Sequence, residues 1–217
     1  MDKASVTRTS RARTRLARAS VAMVAVMLAG CSFASAPPVR YFEVRAPRAE
    51  VREGIMLPSV IVPNFSCLAA YDHLRVVLRR SDVEVVTSRT LQWTTVPGRM
   101  MAQAVRFHLE ATTRFESVRR RARPEPPYAV EGQVQVIELT ESPSMGARLG
   151  LHINVRRTAD GAVIDELFID ESTTADGRDP ADGVLALRQL LGRILDDLGE
   201  RVIAAIENDV RAGGAGS

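Results

Sequence analysis

Hydrophobic positions along this chain recur at two periods, and the switches between them lay out its elements. From residue 128, "YAVEGQVQVIELT" alternates apolar and polar positions, which puts Val130, Val134 and Val136 on one face of a strand. "ARLGLHINVRRTADGAVIDELFIDEST" is the clearest hairpin: Leu149, Leu151, Ile153 and Val155 line one face, and Asp160-Gly161 supplies the turn residues. The period lengthens in "TTVPGRMMAQAVRFHLEATTRF". There Met101, Val105, Leu109 and Thr112 fall on one side of a helix, with Thr94 or Thr95 as cap and Pro97 in the first turn. The last element is a longer helix, capped by Asp179 and opened by Pro180. Its stripe is Val184, Leu187, Leu191, Ile194, Leu198, Val202 and Ile206. Residues 181–208 span about 42 Å at ~1.5 Å per residue, more than one face of a small sheet. Its end is therefore expected to overhang or to meet a neighbour, which leaves room for a homo-oligomer.

Shorter runs fill the first half. "YFEVRA" and "LPSVIVPNF" read as strands, the second bounded by prolines. "DHLRVVLRRSDVEVVTSRTLQWT" reads as two strands around a turn near Ser81-Asp82. "FESVRR" is a short strand, "RARPEPP" a proline-rich connector and "TESPSMGAR" a longer loop. Four strands, a helix, four strands and a helix, with no internal repeat, define an α+β fold. The expected architecture is a mixed or antiparallel sheet with two helices packed on one face, the C-terminal helix long.

The first thirty residues follow other rules. Lys3, Arg8, Arg11, Arg13, Arg15 and Arg18 precede an apolar run, Val21 to Ala29, that is too short for the roughly 20 residues of a membrane span. A basic segment, a short apolar segment and small residues make a secretory signal peptide. Leu28-Ala29-Gly30-Cys31 looks like a bacterial lipobox. In that resemblance Cys31 takes a diacylglyceryl thioether, the peptide is cut before it, and the new amino group is acylated, which anchors the chain stably. Ser32, where aspartate would favour the inner membrane, points to the outer one. The expected organisation is a cleaved signal over 1–30, a lipidated tether over 31–40, one domain over 41–210 and a disordered tail over 211–217.

Charge changes its meaning once the signal is set aside. The whole chain is +3, but residues 1–30 carry +5, so the mature chain is −2 and a nucleic-acid partner drops out. With Cys31 lipidated, Cys67 has no intramolecular partner and is expected to be a small buried hydrophobe.

Candidate chemistry is sparse. His73, His108 and His152 lie at no metal-ligand spacing with one another or with Cys, Asp or Glu, so no metal or other cofactor is implied. No nucleophile elbow or phosphate-cradling loop is present. Asp165, Glu166, Asp170 and Glu171 gather on one hairpin arm, where a solvated strand face explains them better than paired catalytic acids. Enzyme is the minority reading.

An ordered set of residues carries a resemblance. Tyr71 precedes a strand ending in Arg79 and Arg80, and a second strand reaches Trp93. Pro97, a helix ending at Leu109, and Phe115 and Val118 on the next strand follow, behind the lipobox and the early "YFEV" strand. In this the chain resembles the ABC-type transport auxiliary lipoprotein family, over most of its mature length and with drift from 125 to 180. The resemblance implies a non-catalytic, membrane-anchored component on the periplasmic side of the envelope. Its expected partners are an MCE-domain protein and an ABC permease and ATPase, in systems that move lipids or other apolar molecules. Trp93, Met145, Arg79 and Arg80 are candidate partner contacts. A core place for Trp93, a plain loop for Met145, and pairing of the arginines with Asp82 and Glu84 are the bland readings of the same residues. The rival function is an outer-membrane assembly lipoprotein that partners a β-barrel.

Overall fold

The computed structural model describes residues 37–47 and 50–214; the signal segment, Cys31 and the last three residues lie outside the described residues. Nine strands and two helices follow in the order β1 (Arg40–Phe42), β2 (Val60–Ile61), β3 (Ser66–Cys67), β4 (Arg75–Arg79), β5 (Val85–Trp93), α1 (Pro97–Ala111), β6 (Val118–Arg119), β7 (Tyr128–Thr140), β8 (Gly146–Arg157), β9 (Val163–Thr174) and α2 (Pro180–Gly214). The class is α+β with one mixed sheet, as the pattern predicts.

β7 organises the sheet. One of its edges pairs antiparallel with β8 along its full length, and β8 pairs in turn with β9. The other edge takes three short parallel strands end to end: β2 at Tyr128–Ala129, β3 at Gln133–Val134 and β4 at Glu138–Thr140. β5 and β1 extend the sheet beyond β4, and β6 extends it beyond β2. The run around Val60 is therefore two two-residue strands, because β7 offers each of them only a short stretch of free edge.

The inner face of β8 is as expected: Leu149, Leu151, Ile153 and Val155 are at most 1 % exposed. β7 departs from simple alternation. Val134 opposes Leu151 and Val136 opposes Gly150, so Gln135 is an extra residue that shifts the alternation by one. Val130 and Val134 keep the core face, Val136 turns to the outer face, and Ile137 and Leu139 take up the core side after the bulge. Gly150 makes room for this, since a Cβ there would meet Val136 at 3.2 Å. The β8–β9 connection runs over residues 158–162, with Gly161 at φ +74° and the Ala162 amide donating to Asp160 Oδ1 at 3.1 Å.

α1 starts without a side-chain cap. Its N-cap is Val96, so neither Thr94 nor Thr95 serves; Pro97, which has no N–H to satisfy, opens the first turn. Met101, Val105, Leu109 and Thr112 form its buried side, and the Thr112 hydroxyl donates to the Leu109 carbonyl at 2.6 Å. α2 starts as predicted. Asp179 Oδ1 accepts from the Ala181 amide at 2.8 Å, while Asp182 Oδ2 accepts from the Asp179 amide at 3.0 Å. All seven residues of its predicted stripe are buried. The helix continues to Gly214, beyond residue 208 and into the segment expected to be disordered. At ~1.5 Å per residue its 35 residues reach about 52 Å.

Both helices join one core with the sheet's inner face. They cross where Gly199 of α2 meets His108 of α1, and a Cβ at Gly199 would lie 2.7 Å from His108 Nε2. A strap formed by residues 43–47 and 50–57 ties the pair together. The Arg52 amide donates to the Thr112 carbonyl at 3.0 Å, and its guanidinium lies 3.0 Å from Glu200 on α2. The Arg114 guanidinium donates to the carbonyls of Glu53 and Ile55 and pairs with Glu207 of α2. Among the described residues, no helix is long and apolar enough to cross a membrane.

Candidate functional site

The strap carries no sequence period, so its path is set by α1 and α2 rather than by its own pattern. Between it and α1 it leaves a groove of about 700 Å³. Val44 and Val51 form the strap wall, and Met100, Ala104 and Phe107 form the helix wall. Two of these groups are open to solvent, Val51 at 71 % and Phe107 at 55 % exposure. Polar groups sit at the margin, among them Arg45, Glu110 and His108. A volume between about 300 and 1,000 Å³ with mostly apolar walls is typical of a small-molecule site.

His108 connects this groove to the helix crossing. It is 4 % exposed, its Nε2 has no hydrogen-bond partner, and the nearest carboxylate oxygen, Asp196 Oδ1, stands 3.9 Å away. Burial pushes its pKa below the usual imidazole value, with Arg52 adding to the shift and Asp196 opposing it. The folded state therefore holds His108 neutral, while the unfolded chain takes up its proton near the ordinary value of about 6.5. Stability is unaffected above that pH and falls below it, because the unfolded state then binds more protons. We expect urea unfolding of the wild type to weaken between pH 7 and pH 5. The His108→Asn variant should show a shallower slope, the difference staying under about 1.4 kcal/mol per pH unit, the limit for one proton. Equal slopes for the two proteins would show that His108 titrates as it does in the unfolded chain.

The outer face of the sheet is polar and self-paired. Arg148 grips Asp170 with two bonds of 2.8 and 2.6 Å, and Arg156 binds Glu131 at 2.6 Å. His152 meets Glu166 at 2.7 Å and stacks on Phe168 at 4.2 Å between ring centroids. Asp165, on the inner side, takes Arg201 of α2 at 2.7 Å. Three of the hairpin acids, Asp165, Glu166 and Asp170, thus serve separate partners. β9 is an edge strand, and acidic Asp165 and Glu171 on its inner side discourage another strand from adding there.

The residues singled out as partner contacts lie elsewhere. Trp93 is 1 % exposed in the core, because it ends β5 on the inner face, paired with Phe42 of β1. Met145 is 7 % exposed: β8 begins at Gly146, so Met145 tucks beneath the first turn of α2, where its sulfur closes on Gly183. Neither side chain is presented to a partner. Arg79 does not pair with the Asp82 carboxylate; it donates to that residue's backbone carbonyl at 3.2 Å and binds Glu138 through two bonds of 2.6 and 3.0 Å. Glu138 is fully buried and also accepts from the Tyr71 hydroxyl at 2.5 Å. Arg80 reaches Glu141 at 3.1 Å and Glu84 at 3.7 Å in solvent. Cys67 is half-buried against the core and Cys31 lies outside the described residues; burial raises the Cys67 thiol pKa, which keeps it protonated and unreactive.

The groove residues were not singled out by sequence. Phe107 was the available signal, a large aromatic placed off the apolar stripe of α1.

The chain folds as an α+β protein with one mixed sheet and two helices on a shared core. Comparison with known proteins gives it a family. The model of the ABC-type transport auxiliary lipoprotein component matches residues 42–199, and the chain belongs to that family. Among solved structures, the chain is similar to protein XCC0632 from Xanthomonas campestris at 16 % identity and TM-score 0.70, covering 79 % of this chain and 99 % of that one. A second crystal structure, of an uncharacterized protein, is similar at 11 % identity and TM-score 0.60, covering 76 % and 99 %. Both likenesses concern the fold. No curated protein matches the chain by sequence.

Proposed function

We propose that the protein is the lipid-anchored, non-catalytic accessory component of an ABC/MCE-type system that moves lipids or other apolar molecules across the cell envelope. Acyl chains on Cys31 hold it to the outer membrane, with its body in the periplasm. It docks onto an MCE-domain protein and the associated ABC permease and ATPase. The observation that carries this reading is the family match over residues 42–199. The apolar groove on α1 supports it, since it offers a place for an apolar partner.

The test is a crosslinking pull-down from native membranes, with the lipidated protein as bait and mass spectrometry as readout. Recovery of an MCE-domain protein with its ABC permease is expected. An outer-membrane barrel recovered alone would move the protein to barrel assembly and end the transport reading. The anchor is tested separately: Cys31→Ala is expected to move the protein from the membrane to the soluble fraction. A variant that still floats with membranes would remove the lipobox from the account.

A further inference from the structure

Two hollows lie on either flank of α1. One is the apolar groove. The other is a hollow of about 610 Å³ between the last turns of α1 and residues 115–121. Arg106, Arg119, Arg120 and Arg121 line this hollow, together with Glu110 and Glu116. Among the described residues, none of the four arginines forms an ion pair within 4.0 Å. Arg106 has only a 3.5 Å bond to the Val62 carbonyl, and Arg119 only a 3.4 Å bond to the Ser117 hydroxyl. This contrasts with the outer sheet face, where Arg148 and Arg156 each hold a carboxylate. Burial, and next the Arg120 guanidinium, hold the pKa of Arg106 below the usual arginine value, with Glu110 opposing. Arg106 is half-buried and Arg119, Arg120 and Arg121 are exposed beside it, and Glu110 and Glu116 share the hollow without forming an ion pair with any of them. Such a cluster is stabilised by an incoming anion, and the guanidinium fork suits phosphate oxygens.

The two features meet on one turn of the helix. The Arg106 guanidinium lies 5.8 Å from the centre of the Phe107 ring, Phe107 lines the groove, and Glu110 borders both hollows. We infer that groove and hollow form one site for an anionic amphiphile. Its alkyl chain lies between Val51, Met100 and Phe107, and its phosphate ester sits on Arg106 and Arg120. The assignment deepens the apolar-cargo reading by naming a class of molecule, and it rests on that reading for a source of such molecules.

The test uses the full chain carrying Cys31→Ala, which brings no acyl group of its own, and calorimetric titration below micelle formation. The probes are dodecyl phosphate, dodecyl maltoside and inorganic phosphate. Dodecyl phosphate is expected to bind at least 10-fold more tightly than either of the others. Arg120→Ala, at an exposed position whose folding is checked by thermal melting, and Arg106→Ala should each weaken it about 10-fold while leaving the maltoside unchanged. Phe107→Ser should weaken both amphiphiles. Inorganic phosphate binding as tightly as the ester would make this a free-anion site and overturn the inference. So would a maltoside that binds equally well, the absence of binding by any probe, or a glutamate-rich peptide that binds more tightly than dodecyl phosphate. A membrane pull-down that recovers the transporter while dodecyl phosphate fails would remove this site and leave the docking role standing. Binding of dodecyl phosphate with no transporter recovered would do the reverse.

Discussion

A chain ended after Arg178 is expected to be insoluble when expressed. The cut removes α2, and with it Leu187, Leu190, Leu191, Leu195, Leu198, Val202 and Ile206, none more than 1 % exposed. At about 1.5–3 kcal/mol for each fully buried side chain, the loss is about 10–20 kcal/mol before any relaxation. Folded domains hold only about 5–15 kcal/mol in net stability, so no folded state is expected to survive. The cut also exposes the inner face of β8, whose Leu149, Leu151, Ile153 and Val155 would then meet solvent in one row. Soluble fraction and the cooperativity of urea unfolding report the outcome. A soluble fragment with a sharp transition would show that α2 belongs to an assembly instead of to this core.

Arg79→Ala is expected to cost about 3 kcal/mol, far more than a surface arginine. Glu138 is 0 % exposed, and Arg79 supplies two of the three side-chain hydrogen bonds to it, with Tyr71 supplying the third. Breaking a buried pair from one side leaves a charge with no solvent to receive it, which costs about 3–5 kcal/mol in well-enclosed cases. Arg79 keeps 24 % of its side chain exposed, which places the expected cost at the lower end. Replacing both partners by apolar groups removes the stranded charge, so Arg79→Met with Glu138→Leu should recover most of the loss. Chemical denaturation of the four proteins in the cycle gives the coupling directly. A single variant within 0.5 kcal/mol of wild type, about the effect of an ordinary surface change, would show that water reaches Glu138.

The elements that write their own period were legible in the sequence. The β8–β9 hairpin and the stripe of α2 each bury a repeating set of aliphatic residues, and both stand where the pattern placed them. β2, β3 and β6 have two residues each, and they exist because another strand offers a matching edge, which no local pattern records. The fate of Val136 turned on one extra residue in β7, invisible until β8 fixed the register. Trp93 takes the core place that its aromatic ring suggested over a partner contact, while Met145, expected in a loop, is enclosed by the packing of α2. The groove was hidden for the same reason as the short strands: the strap has no period, and its wall against α1 exists only after α2 pins it. The arginines after Val118 were plain in the sequence as charge. That they stand without carboxylate partners is a fact of three dimensions.

The three short parallel strands on one edge of β7 also fix an order in time. Leu78 pairs with Leu139 and Val60 with Tyr128, contacts separated by more than sixty residues of chain. Closing such spans is slow, because a long loop must be ordered before any contact rewards it. The first half of the chain is synthesised before the strand that receives it exists. Until β7 arrives, β4 has only β5 beside it and β2 only β6, and Val60, Val62, Val76 and Leu78, all buried in the finished fold, lack the central strand. A newly made chain therefore passes through an interval in which its N-terminal half is a substrate for chaperones and for aggregation, and that interval lasts until β7 and, last of all, α2 have emerged.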